Sequence, residues 1–161
     1  WRMRNNSLST AHFLLAPEEE AVKEKQNLEN FIPEDKYRSS NITAEDCKRL
    51  TERLKNLIRD KKLYSNPELK IGDLAKELDV PAYILSYLFN QYLNRNYYDY
   101  INDYRIAEFK YLVNKGEHMT YTLNALIEKC GFNSRASFFR HFKRATGMTP
   151  NEYIKGLRKP N

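Results

Sequence analysis

The chain has 161 residues and a formal net charge of +6, with 27 Lys and Arg against 21 Asp and Glu. That length suits one ordinary domain or two small units sharing a core, and no apolar run approaches the ~18 residues that a membrane-spanning helix needs. Two cysteines, Cys47 and Cys130, stand far apart without a CxxC or a nearby His pair, which argues against a disulfide framework or zinc site and for a reducing compartment.

Residues 1–42 read as a linker. The chain opens on Trp1 rather than Met, so a longer parent protein is expected, its remainder holding a sensor or a membrane anchor. Pro17 followed by Glu18-Glu19-Glu20 makes a good helix start. Val22, Leu28 and Phe31 are too sparse for a core-facing stripe, however, and the stretch is expected to be a solvated connector.

Order is expected from Thr43, where Thr43-x-x-Asp46 resembles a capping box. Cys47, Leu50, Leu54, Leu57 and Ile58 then recur at helical spacing and predict an amphipathic helix to about Lys62. Asn66-Pro67 ends the connection. A short helix follows from about Ile71 to Leu78, burying Leu74, Ala75 and Leu78, with Asp79 in the turn where a left-handed residue is wanted. Pro81 opens the next helix, with Ile84, Leu85, Leu88 and Phe89 inward and Tyr83, Ser86, Tyr87 and Asn90 outward.

A long helix spans about 97–115, packing through Ile101, Arg105, Ile106, Phe109, Leu112 and Val113 and ending at Gly116. The short-helix, turn, short-helix pattern then returns. Thr122 caps a helix carrying Leu123, Leu126 and Ile127, Gly131 makes the turn, and Ser134 caps a helix with Phe138 and Phe142 inward and Arg135, Phe139, Arg140 and Lys143 outward. Gly147 stops it, and Thr149-Pro150-Asn151-Glu152 starts a last helix to about Arg158. With no period-2 alternation, the expected fold is all-α: two helix-turn-helix units, about 66–95 and 122–146, joined by one long helix.

Charge is distributed unevenly over this repeat. From Gly131 to Asn161 there are seven cations and one acid, Glu152, so this segment accounts for the whole net charge and the rest is neutral on balance. A cationic helix concentrated at one end is the electrostatic footprint of a nucleic-acid reader.

Thr122 to Tyr153 resembles the C-terminal DNA-binding domain of AraC/XylS-type transcription regulators. The resemblance is carried by Cys130-Gly131-Phe132, Phe138, Arg140, Phe142-Lys143, Gly147 and Thr149-Pro150 with Tyr153. Upstream, Asp73-Leu74-Ala75, Leu85-Ser86, Leu88-Phe89 and Tyr100-Ile101-Asn102 with Arg105 are similar to that domain's first half and linker helix. The chain departs from the family pattern at Lys70, Ile127, Phe109 and Asp79-Val80. The resemblance spans roughly residues 45–158 and implies that residues 43–161 form a domain reading two successive major grooves of double-stranded DNA.

In such a domain the second helix of each unit enters the groove, its N-terminal side chains meeting bases and its flanks meeting phosphates. On that basis the base-facing residues are Tyr83, Ser86 and Tyr87 in the first unit and Arg135, Ala136, Phe139 and Arg140 in the second. Asn90, Ser134, Ser137, Lys143 and Arg144 face phosphates. Tyr87 is read equally as a packing residue against the linker helix. No cofactor, metal or catalytic group is expected. RNA polymerase is a second implied partner, and dimerisation would fall to a preceding region. The fragment itself makes no membrane contact, and the expected location is cytoplasmic, the parent protein being open to an inner-membrane tether.

Two other classes compete. His12, His118 and His141 lack acid partners at a suggestive spacing, and there is no phosphate-binding glycine loop, so an enzyme is disfavoured. An all-α adaptor binding only protein would show the same amphipathic helices but leaves the basic end unexplained. RNA ranks lower still, because paired recognition helices suit the wide DNA major groove that A-form RNA lacks.

Overall fold

The computed structural model describes residues 42–157. Seven α-helices and no strands occur among them: α1 Ala44–Lys61, α2 Ile71–Glu77, α3 Ala82–Tyr87, α4 Tyr97–Asn114, α5 Leu123–Lys129, α6 Arg135–Thr146 and α7 Pro150–Leu157. The expected connector over residues 1–42 lies, but for Ile42, outside the described residues, as does the chain end after Leu157.

Local chemistry sets these boundaries. Thr43 and Asp46 form the reciprocal capping box, with the Asp46 N–H donating to Thr43 Oγ1 at 3.1 Å and the Thr43 N–H donating to Asp46 Oδ2 at 3.1 Å. The Thr43 hydroxyl, which donates to Asp46 Oδ2 at 2.7 Å, together with the Thr43 N–H and Arg49 alongside, holds the Asp46 carboxyl down at about 2. Asn96 and Thr122 cap α4 and α5, and Thr149 with Glu152 starts α7. At the start of α2 the Lys70 ammonium has no acceptor to offer. Only half a box forms there: the Lys70 N–H donates to Asp73 Oδ2 at 2.9 Å.

The two helix-turn-helix corners share one backbone design. In the first, the Asp79 N–H donates to Lys76 O at 3.1 Å and the Val80 N–H to Ala75 O at 3.0 Å. In the second, the Gly131 N–H donates to Glu128 O at 2.9 Å and the Phe132 N–H to Ile127 O at 3.2 Å. Each is the paired-bond helix ending that requires one left-handed residue, at φ 53° for Asp79 and 94° for Gly131. The sequence-level repeat is therefore a repeat of geometry.

Two hydrophobic cores form, one per unit, and α4 feeds both. Tyr97, Tyr100 and Ile101 join Leu54, Ile58, Leu74, Leu85 and Phe89 in the first. Ile106, Phe109, Leu112 and Val113 join Leu126, Phe132, Phe138 and Phe142 in the second. There Phe109 packs on Phe138 and Phe142 with centroids 4.7 and 5.4 Å apart. Truncating any of these three rings would cost about 3–5 kcal/mol. Cys47 and Cys130 are buried free thiols, and burial pushes Cys130 up to about 12, so neither is poised as a nucleophile.

Between the cores lies a polar seam. Arg105 is buried in it, donating from Nε to Tyr64 O at 2.8 Å, from Nη2 to Asn66 O at 2.9 Å and from Nη1 to Asn102 Oδ1 at 3.1 Å. Its guanidinium also covers the Phe132 ring at 5.6 Å. The second corner is pressed against the same loop. A Cβ added at Gly131 would stand 2.2 Å from Tyr64 O, so this corner needs glycine for space as well as for φ.

Candidate nucleic-acid interface

The second recognition helix, α6, is anchored by Phe138 and Phe142, fully buried four residues apart. That spacing commits one face to the core and turns the opposite one to solvent. Arg135, Ala136, Arg140 and Lys143 are exposed there, and Phe139 is half-buried between them and the core. Positions 135, 139 and 143 follow one i,i+4 stripe and 136 and 140 the adjacent one, so the five make a continuous surface. The Arg135 guanidinium lies 5.1 Å from the Phe139 ring centroid, and this contact steadies the first cation of the helix.

Arg135, Arg140 and Lys143 have no ion-pair partner among the described residues, whereas Lys61, Lys62 and Arg95 are paired with Glu77, Glu108 and Asp103. An unpaired cation offers its full charge to an incoming anion. Ser134 caps α6 by accepting from the Ser137 N–H at 3.3 Å, which leaves the Ser134 hydroxyl proton available to a phosphate oxygen. Ser137 is half-buried beside it.

Arg144 differs from the other basic residues of α6. Its Nη2 donates to Asp99 Oδ1 on α4 at 2.9 Å, so it links the recognition helix to the linker helix. One turn back, His141 is buried, with its Nε2 3.1 Å from Asn102 Nδ2 on α4. Asn102 Oδ1 already accepts from Arg105. On the other side of the ring, His141 Nδ1 lies 2.9 Å from Arg144 Nη2 and 3.7 Å from Asp99 Oδ1, so the imidazole stands between Asn102 and the Arg144–Asp99 pair. Burial, reinforced by the positive Arg144, drives the His141 pKa down to about 4, and the ring is neutral at physiological pH. Periodicity places His141 one position from Phe142, yet only the arrival of Asn102 tells what it does.

The first recognition helix is less regular. After α3 the backbone widens into a π turn over Leu88–Tyr92, where the Leu93 N–H donates to Leu88 O at 2.8 Å. Such insertions re-aim the residues that follow, and the sequence carries no signal for this one. Tyr83, Tyr87 and Asn90 lie at i, i+4 and i+7, with Asn90 exposed and both tyrosines half-buried. Tyr87 packs against the first core, in keeping with the packing reading.

Ser86 requires a correction, because it is turned inward rather than outward. It is 6% exposed, and its hydroxyl donates to Ala82 O at 3.2 Å. Ala82, Ile84 and Tyr87 also touch the core beside buried Leu85, so most of the circumference of α3 is in contact and the two-faced assumption fails. A small hydroxyl satisfied by its own helix fits such a position.

A model of the helix-turn-helix domain family matches residues 74–156, more than half of the chain. The chain belongs to that family, in its AraC/XylS-type form. It is 29% identical over 94 residues to the uncharacterized response regulatory protein SERP2406 of Staphylococcus epidermidis, covering 58% of this chain and 36% of the relative. It is 27% identical over 88 residues to the transcriptional regulatory protein HptR of Staphylococcus aureus, covering 55% of this chain and 33% of the relative. The aligned part is thus about a third of the length of these relatives.

Among solved structures, a Listeria innocua protein of unknown function is 27% identical with a TM-score of 0.55, over 65% of this chain and 94% of that one. The C-terminal domain of AraT, a response regulator from Geobacillus stearothermophilus, has a TM-score of 0.56 at 22% identity, over 76% of this chain and 92% of that one, and bears on the fold alone. Family and fold together define a DNA-binding regulator domain rather than an enzyme.

Proposed function

We propose that the chain is a sequence-specific transcription regulator that reads two successive major grooves of double-stranded DNA with α3 and α6. The observation that carries this reading is the α6 surface: three unpaired, exposed cations on one face, directly after a helix-turn-helix corner. Arg135 and Arg140 read bases, a guanine presenting the O6 and N7 acceptors that a guanidinium can bridge, and Phe139 meets a thymine methyl. Lys143 and Ser134 meet phosphates. Tyr83 and Tyr87 add sequence preference from the first unit with little charge. The two helices contact sites roughly 34 Å apart along one face of the duplex unless the DNA bends. The curated relatives, longer than the aligned part and described as regulatory proteins, support an output domain driven by a sensor elsewhere in a longer protein.

Binding titrations test this with the chain and Arg135→Ala and Tyr83→Ala variants, on selected and on random duplexes. Arg135→Ala should weaken both, by on the order of tenfold on the selected duplex, while Tyr83→Ala should weaken mainly the selected one. Equal losses on random DNA would break the assignment of roles. With about four to six phosphates neutralised, the plot of log affinity against log salt should have a slope of about −4 to −5. A slope near zero, or no duplex-dependent shift on a gel, would leave the chain a protein-binding adaptor.

A further inference from the structure

Buried polar side chains are few here, and three of them, Asn102, Arg105 and His141, sit together where the two hydrophobic cores meet. The cores share no buried residue, and apolar packing alone is tolerant of small rotations between them. Hydrogen bonds are not, since they weaken steeply away from their preferred distance and angle. Every buried side-chain nitrogen and oxygen in the described residues has a partner, so the seam is satisfied in this one arrangement of the halves. Moving α6 against α4 by an ångström or two would leave Asn102 Nδ2 and His141 Nε2 buried without the partner each has in the other.

We infer that the Asn102–His141 hydrogen bond, backed by Arg105, is the positioning device that sets α6 at the angle and distance from α3 required for both to enter one face of the same duplex. Asn102 and His141 are positioning residues in this scheme, and neither touches DNA. The inference rests on the two-groove reading proposed above. A rigid link makes the second contact effectively intramolecular. Loosening it lowers the effective concentration of the second reading head without altering either head. Loss of the seam therefore has a particular signature: it harms bipartite sites and spares half-sites.

The test begins with duplexes selected by the unaltered chain from a random 30-base-pair pool, then versions with either half scrambled. His141→Phe fills the same space without an acceptor, and His141→Gln restores one. His141→Phe should bind the complete duplex about tenfold more weakly, change by less than twofold on the duplex keeping only the α6 half, and tolerate altered half-site separations. His141→Gln should return to within about twofold of the unaltered chain on all three measures.

Should His141→Phe melt below the assay temperature, Asn102→Ser carries the same expectation, because it withdraws the amide from His141 yet leaves an oxygen for Arg105. Equal losses on complete and half duplexes, or no loss on either, would overturn the inference. A selected duplex with only one recognised half would overturn it too while leaving DNA binding intact. A pool that yields no bound duplex would remove the DNA reading and this inference together.

Discussion

The two helix-turn-helix units repeat a backbone and diverge in chemistry. Between Leu63 and Arg95 the first unit has three cations (Lys70, Lys76 and Arg95) and four acids (Glu68, Asp73, Glu77 and Asp79), whereas Gly131 to Asn161 carries seven cations and one acid. The same hydrogen-bonded corner is held by an aspartate in one unit and a glycine in the other. In the proposed function the difference separates two tasks, with α6 supplying charge and therefore affinity, and α3 supplying tyrosines and therefore preference. It also shows that a shared corner does not imply shared constraints. Asp79 needs only its left-handed backbone, but Gly131 is additionally pinned beneath the Tyr64 carbonyl.

The sharpest way to test that contrast is to exchange the corner residues. Gly131→Ala forces a Cβ into a backbone oxygen at a positive φ and should destabilise the chain by roughly 3 kcal/mol or more. Asp79→Gly relaxes a strained residue at the cost of a more flexible unfolded chain, and should change stability by less than about 1 kcal/mol. Chemical denaturation measures both. Comparable costs at the two corners would mean that the steric difference between them is illusory.

Acid should strike the second unit through His141. Its native pKa, about 4, lies below the ordinary 6.5, so between those values the unfolded chain binds a proton that the native chain does not. Stability is therefore full above pH 6.5 and falls as the pH drops towards 4, by about 3 kcal/mol for this group. Arg144 and Arg140 push the same way as burial, and Asp99 and Asp103 oppose them. His141→Gln should flatten this part of the stability–pH curve, and an unchanged slope would rule the histidine out as its source.

The smallest expected effect concerns the helix starts. α6 begins on a serine whose hydroxyl accepts from the Ser137 N–H, while α3 begins on Pro81, which offers no side-chain acceptor. Ser134→Ala should cost about 1 kcal/mol, and Pro81→Ala should show no capping loss. Thermal melting of the two variants separates them.

Much of this architecture is legible in the residues alone. Leu50, Leu54 and Ile58 announce α1, Thr43 and Asp46 mark its start, and Gly116, Gly131 and Gly147 mark stops that all appear at positive φ. Phe138 and Phe142 point α6 inward and so leave its cations outward. These features are local, since spacing along a helix dictates a face and a capping side chain reaches only three residues. Spacing places Ser86 outward because it presumes one buried face, whereas α3 is enclosed on most sides and the hydroxyl is buried. The π turn at Leu88–Tyr92 and the tie of Arg144 to Asp99 likewise have no signature in spacing.

The chain's order of helices, its corners and its lopsided charge were determined by sequence, because caps, glycines and apolar periodicity act within a few residues of themselves. Which polar groups meet at the seam was decided only by tertiary structure. Asn102 finds His141 across 39 positions, and Arg105 finds Tyr64 across 41. A hydrogen bond between distant elements exists only once both cores have packed, and no local pattern encodes the partner that packing will bring.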